Sequence, residues 1–488
     1  MKKNPLLITL YAIFLILLFS SCGNGTDNKE TDELKQSEQH ETQQEENVYI
    51  FPELDCGGED FTFLNIDKGT WDFYTTIVNE EQTGEVLDDA IYLRNRIIED
   101  KFNVYLKEIT FDINDIESKI KNTILAGEAA YDAAYCPAYM NAPIGGMIAQ
   151  GLFSDLNDIP DLQLDKPWWN QTINSECAIG NDKKLYFAWC DINIMNLQGP
   201  WCVYFNEDMM KNLNLDLPYN LVKSGEWTLD EFYKYAKTGA QLNGEDSFKW
   251  KSSSSAVYGY ASFVSGTRAL LCGTGEYLIS KDSEGIPFLS IETSRFYDVC
   301  NKIADIIRAD GLYIDSNERP SKYFEFLFRD ERALMTIAEL KAADTFREMD
   351  ATFGIVPIPK YDKNQSRYYS SVTNAMPVLT VPNTMKDAKT TGVILDAMAY
   401  LSTRDIAPIF FDVTLSQKRL RNDESIEMLQ IVKDSVQYGA GLAYGWSADL
   451  YVDICDDLNK GVSNAASQIE KHKDKIQINI DKTMGFID

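Results

Sequence analysis

Histidine is nearly absent from this chain: 488 residues hold two, His40 in a polar tract and His472 in a charged stretch near the end. No His-based catalytic triad, HExxH zinc site or histidine cluster can be assembled from that pair. Nucleotide and nucleophile signatures are missing too, since no G-x-x-x-x-G-K-[ST], G-x-G-x-x-G or G-x-S-x-G occurs. The nine cysteines show neither C-x-x-C nor zinc-finger spacing, so neither a metal nor a cofactor is expected. Basic residues are few, 46 Lys plus Arg against 75 Asp plus Glu, for a formal charge of −29. Nucleic acid and anionic membrane surfaces need the opposite sign and are excluded as partners. What is present, 44% hydrophobic and 12% aromatic residues, describes a folded acidic protein. At roughly 100 to 200 residues per domain it should hold two or three domains.

The N-terminus reads as an address. Lys2 and Lys3 precede an apolar run from Leu6 to Phe19, shorter than the ~20 residues of a membrane-spanning helix but suited to a signal-peptide core. Ser20, Ser21, Cys22 and Gly23 then resemble the lipobox of bacterial lipoproteins, with Phe19 where Leu is usual. The resemblance implies that Cys22 is lipidated and becomes the first mature residue, tied to the cell membrane by its lipid alone. Residues 23–47 carry eight acids, two lysines and a single large apolar side chain, Leu34. Such a segment cannot offset its ordering entropy by burial, and it reads as a disordered tether reaching roughly 25–30 Å. The eight cysteines of the body can pair outside the cytoplasm; the simpler reading makes them buried thiols that act as small apolar residues.

The body alternates strand and helix. Residues 61–66 read as a strand, Val86, Ala90, Leu93 and Ile97 as one helical stripe, Phe102, Val104 and Leu106 as a second strand, Ile116, Ile120 and Ile124 as a second helix, and residues 131–136 as a third strand. β-α-β-α-β order predicts a parallel sheet covered by helices, with ligands beyond the carboxyl ends of its strands. A second block opens at WTLDEFYKYAKTG, where Thr228 and Glu231 form a capping box, Leu229, Phe232, Tyr233 and Ala236 share a face, and Gly239 stops the helix. Residues 333–337 and 353–358 read as strands, and the stretches near 389–402 and 449–482 as helices. Asp155, Asn157, Asp158, Asp161 and Asp165 make an acidic loop without EF-hand spacing, read as a solvated loop.

Taken in order, KKLYFAWCDIN at 183–193, WCVYFNEDMMKNLNLDLP at 201–218, the capped helix, ALMTIAEL at 333–340 and FGIVPIPK at 353–360 resemble segments of the family 1 extracellular solute-binding proteins. These are receptor subunits of bacterial ABC importers and include the maltose-binding type. The resemblance implies an α/β, two-lobe, periplasmic-binding-protein-like (type II) fold with interleaved lobes and a hinge. It divides the chain into a signal peptide (1–21), a lipidated cysteine and tether (22–47), lobe 1 (48–192 plus 373–413) and lobe 2 (193–372 plus 414–488). The chain would cross near Asp191–Gln198, Ser371–Ala375 and Thr414–Leu420.

A sugar presents an apolar ring face and a rim of hydroxyls, which aromatic platforms and carboxylates match. Trp71 and Tyr139 follow the first and third strands. Trp189, Asp191 and Trp201 flank the first crossing, where Asp191 has the alternative role of capping a hinge hydrogen bond. Glu339 follows the ALMTI strand, and Trp446 lies in a Gly-rich turn that suggests an exposed loop, where maltose-binding relatives place an aromatic platform. Trp168 and Trp169 read as anchors of a loop. The expected protein is a monomeric, lipid-anchored, extracytoplasmic receptor that closes on a small solute, a carbohydrate, and delivers it to ABC permease subunits. It is not expected to be an enzyme. The alternatives are a surface glycoside hydrolase with paired carboxylates and a sensory co-receptor for the same ligand.

Overall fold

The computed structural model describes residues 48–67, 73–138, 144–249, 251, 253–312, 323–372, 376–415 and 423–487. The expected lipidation at Cys22, the expected tether, Trp71 and Tyr139 lie outside these residues.

The chain begins with a β-α-β-α-β unit: β1 (Glu59–Ile66), α1 (Val86–Phe102), β2 (Val104–Phe111), α2 (Ile116–Leu125) and β3 (Ala133–Pro137). β1 pairs in parallel with both β2 and β3, as the alternation of strand and helix predicts. The short helix α3 (Ile144–Ile148) and α4 (Gln171–Cys177) follow. The chain then moves to a second sheet with β4 (Trp201–Asn206), α5 (Leu229–Gly239), β5 (Tyr258–Ala261), α6 (Val264–Gly273), the hairpin β6 (Ile279–Lys281) and β7 (Pro287–Leu289), β8 (Ala333–Glu339) and β9 (Phe353–Val356). β10 (Pro377–Thr380) returns to the first sheet and runs antiparallel to β3. The strand orders are β10-β3-β1-β2 and β5-β8-β4-β9, and the hairpin β6-β7 is a separate two-stranded sheet. Helices α7 (Ala388–Leu401), α8 (Ala407–Leu415), α9 (Asp423–Asp434), α10 (Ala448–Asn459) and α11 (Ala465–Ile487) complete the chain. Phe51–Asp488 make one compact unit.

Burial and contacts explain these elements and correct several details of the sequence reading. α2 buries Ile116, Ile120 and Ile124, the stripe anticipated. α1 runs on to Phe102, which was expected in the second strand, and it has a different inner face: Val86, Leu93 and Ile97 are exposed, while Ile91, Ile98 and Phe102 are buried together with Arg94 and Asn95. Two polar residues on the buried face disguised its phase. In α5, Thr228 caps the N-terminus by accepting from the Glu231 amide at 3.5 Å, but the Glu231 carboxylate pairs with Lys234 at 3.0 Å, and the reciprocal half of the box is not made. The buried face of α5 carries Tyr235 where Tyr233 was expected. Gly239 does not stop the helix; it lies within the last turn, where a Cβ would come 2.6 Å from Leu334, so helix-to-strand contact selects it. The C-terminal stretch is two helices, broken at Gly461 with φ +72°.

The core of the second sheet centres on β4, buried along its whole length, with the Tyr204 ring set among Phe346, Phe353 and Phe328 at 4.9, 6.1 and 6.5 Å. Trp168 and Trp169 donate their indole N–H groups to one oxygen of Asp396 on α7 at 2.8 and 2.7 Å, which pins the loop before α4 as expected. The acidic loop is built around Asp155, whose carboxylate accepts from the Asn157 and Leu185 amides. All eight cysteines of the body are free thiols.

Candidate functional site

Three stretches of chain run side by side between the sheets. Trp201 N–H donates to Ser371 O at 2.9 Å, Ser370 N–H to Ser435 O at 2.8 Å, and Gln437 N–H to Ser370 O at 3.0 Å. They join the segments around residues 200, 371 and 436, so the connection between sheets is narrow and directly hydrogen-bonded. Of the crossing expected at Thr414–Leu420, Thr414 and Leu415 end α8 and the remainder lies outside the described residues.

Two chambers flank this connection. The smaller, about 360 Å³ of space, is lined by Trp189, Asp191, Asn196, Leu340, Phe411 and Lys433 among others. Asp191 accepts from Thr403 Oγ at 3.2 Å, and burial raises its carboxyl pKa above the ordinary 3.8, with Lys433 and Thr403 opposing the rise. The Lys433 ammonium lies 5.1 Å from the centre of the Phe411 ring. Asn196 donates to Cys190 O at 2.6 Å, while its own buried Oδ1 has no hydrogen-bond partner among the described residues. A carboxylate, an amide oxygen, an ammonium and indole and phenyl rings thus share one enclosure, a set that suits a polar ring with hydroxyls.

The larger chamber, about 670 Å³ of space that partly opens to solvent, lies across the wall formed by the Trp189–Tyr438 ring pair (5.9 Å) and the Pro200–Trp201 backbone. Trp201, Arg268, Glu276, Gln437 and Ser447 are among its lining residues.

A saturated polar network holds this framework. Arg94, 1% exposed, donates to Ile77 O (2.6 Å), Ile192 O (3.1 Å) and Ser402 Oγ (3.0 Å), joining α1, the first crossing and the π-helical turn Ser402–Ile406. Burial pushes its pKa down to about 10. Because Ile192 adjoins Asp191 and Ser402 adjoins Thr403, Arg94 sets the register of the Asp191–Thr403 pair. Glu108 accepts from Asn65 Nδ2 (2.7 Å) and from the Ile77 and Val78 amides (3.0 and 2.8 Å), and burial raises its pKa. Asn65 also donates to Thr75 O, and Asn193 donates to Asn65 Oδ1. These bonds anchor residues 75–78, which continue the segment that carries Trp71.

The sequence candidates separate accordingly. Trp189 and Asp191 line the smaller chamber, Trp201 lines the larger one, and Glu339 is the β8 partner of Trp201 in register. Trp446 departs from the expectation of an exposed turn: it is 3% exposed, stacks on Tyr444 at 4.4 Å and 11°, and donates to Thr483 Oγ at 3.0 Å. Close packing of α3 on this turn and on α11 buries it; a Cβ on Gly145 would come 2.7 Å from Tyr444 O. Lys433, Asn196, Thr403 and Phe411 were not anticipated. No sequence periodicity marks them, because they come from separate segments that meet only at the crossings. Among the described residues no group of three or more His, Cys, Asp or Glu could hold a metal ion, and no helix is long and apolar enough to cross a membrane.

The sequence profile described as bacterial extracellular solute-binding protein matches residues 96–405, more than half of the chain. No curated protein matches the sequence. Among solved structures, a sugar transporter from Rhizobium etli in an open conformation superposes with a TM-score of 0.56 at 13% identity, covering 86% of this chain and 99% of that one. An ABC substrate-binding protein from Listeria monocytogenes in complex with cycloalternan gives 0.54 at 13% identity, over 88% and 99%. The acarbose-binding GacH receptor of Streptomyces glaucescens gives 0.51 at 13% identity, over 89% and 99%. The fold is therefore the mixed α/β fold of type II periplasmic binding proteins.

Proposed function

Because the chain belongs to the bacterial extracellular solute-binding proteins, whose place is outside the cytoplasm, we propose that it captures a carbohydrate and delivers it to an ABC permease by hinge closure. The observation that carries this reading is the arrangement of two sheets with adjacent, hydrogen-bonded segments around residues 200, 371 and 436 at their joint, and a chamber there that holds a carboxylate, an amide, an ammonium and aromatic rings. Ligand contacts that exist only when the lobes are closed drive such a receptor; no bond need be made or broken. Structural relatives in complex with cycloalternan and with acarbose favour a carbohydrate.

In this reading the lobes are 48–192 plus 373–413 and 193–372 plus 414–488, a division supported by the return of β10 to the first sheet. The ligand meets Trp189, Asp191, Trp201 and Glu339, while Trp71 and Tyr139 offer aromatic faces from the loops after β1 and β3. Trp446 acts in packing. The protein works as a monomer on a tether, anchored through a lipid on Cys22, a role supported by the lipobox resemblance and the acidic, apolar-poor segment behind it.

The test is thermal shift with a panel of mono- and oligosaccharides, polyols, peptides and amines. A ligand at 100 times its Kd should add about 2.7 kcal/mol of stability. A response to peptides or amines alone would replace the carbohydrate reading, and turnover of the ligand would replace the receptor. For the anchor, a Cys22→Ala chain that still partitions with membranes would overturn lipidation.

A further inference from the structure

The larger chamber contains an unusual set of buried polar atoms. Arg268, Gln437 and Ser447 are 8, 6 and 0% exposed, and Arg268 Nε, Gln437 Oε1 and Ser447 Oγ have no hydrogen-bond partner among the described residues. An unmet buried donor or acceptor costs free energy, and native proteins tolerate few, so three lining one enclosure need an occupant that meets them. Other contacts hold each residue in place. Gln437 Nε2 donates to Cys272 O and Sγ at 3.2 and 2.8 Å, which turns Oε1 away from those donations. The Arg268 backbone is tied to Tyr451, whose hydroxyl donates to Arg268 O at 3.0 Å, and its guanidinium has Asp456 as a loose ionic neighbour at 3.8 Å. Ser447 is set between Gly441 O, which accepts from its amide, and Tyr451 N–H, which donates to its carbonyl.

The inventory selects a chemical class. Arg268 Nε is a donor, Gln437 Oε1 an acceptor and Ser447 Oγ either one. A carboxylate or phosphate could pair with Arg268, but it would also face Gln437 Oε1 and Glu276, two acceptors with no proton to give it, the second already held by Arg295. An ammonium would meet the Arg268 guanidinium. Adjacent neutral hydroxyls satisfy all three atoms, one oxygen accepting from Arg268, its proton going to Gln437, and a neighbouring hydroxyl bonding Ser447. Trp201, 1% exposed, supplies an aromatic wall.

We propose that this chamber is a subsite for the neutral vicinal hydroxyls of the ligand, so that the receptor takes uncharged sugars and discriminates against uronic acids and amino sugars. The proposal rests on the carbohydrate reading above, and the following experiment separates the two. The full chain, a Ser447→Ala variant and a Gln437→Met variant are titrated calorimetrically with D-glucose, D-galactose, maltotriose and raffinose as neutral probes, and with D-glucuronate and D-glucosamine as charged ones. At least one neutral sugar should bind the native chain, more tightly than either charged probe. Each variant should weaken that binding about tenfold or more. Ser447→Ala, which removes an orphaned hydroxyl at constant shape, should melt no lower than the native chain without sugar while binding more weakly with it. Binding unchanged in Ser447→Ala, or a charged probe preferred to its neutral counterpart, overturns the subsite and leaves the receptor reading standing. Failure of every sugar to bind overturns both.

Discussion

Buried polar regions of this molecule are of two opposite kinds. Around Arg94, Asn65 and Glu108 every polar side chain meets partners, often several, and the bonds tie together α1, the segment at 75–78, the first crossing and the π-helical turn. Around Arg268, Gln437 and Ser447, and at Asn196 beside Asp191, polar atoms are buried without partners among the described residues. A completed network fixes structure, because removing any member leaves charges and dipoles stranded. An incomplete one costs stability until something else completes it, as expected where a protein waits for a ligand.

Breaking the completed network should have the largest effect. Arg94→Met strips donors from Ile77 O, Ile192 O and Ser402 Oγ at once, and should lower unfolding stability by about 3–5 kcal/mol in urea titration; a loss below about 1 kcal/mol would show the network to be ornamental. Glu108→Gln replaces one of two acceptor oxygens with a donor facing the Ile77 and Val78 amides, and should cost about 1–3 kcal/mol. The Glu108 carboxyl titrates above its ordinary value in the folded chain, so the native state takes up its proton first on acidification. Its burial penalty is therefore present at neutral pH and relieved as the pH falls through that raised range, and the Gln variant should lack this dependence.

How much of this was legible in the sequence depends on whether a feature is local. The Ile116, Ile120 and Ile124 stripe, the Thr228 cap and the β-α-β-α-β order are set by neighbours in the chain and could be read directly. The inner face of α1 could not, because its buried arginine is partnered by residues far along the chain and its buried asparagine by Ile77 in an irregular segment. Trp446 was misplaced for the same reason: its glycine-rich surroundings suggest an exposed turn, but Gly145 and Thr483, far from it in sequence, close over it. The two chambers are invisible in any window, since Asp191, Thr403, Phe411 and Lys433 meet only where the crossings converge, and Arg268 meets Gln437 only across the fold.

Smaller changes sharpen the contrast. Asp191→Asn should leave the melting temperature nearly unchanged and weaken ligand binding about tenfold, the worth of one charge-assisted hydrogen bond. Because burial raises the Asp191 pKa, native affinity should begin to fall with acidification at a higher pH than an ordinary aspartate would dictate, and the Asn variant should lose that acid limb. An unaltered affinity and pH profile would remove Asp191 from the site. Trp446→Phe keeps the stacking on Tyr444 but loses the bond to Thr483; it should cost about 1 kcal/mol of stability and leave sugar affinity as it is. A large fall in affinity would return Trp446 to the ligand.

Calorimetric titration of the native chain with neutral oligosaccharides, followed by recovery of the sugar, tests the central claim most directly. A receptor that closes on carbohydrate predicts saturable one-to-one binding and a sugar recovered intact after long incubation. No binding by any of them, or a cleaved product, would contradict it.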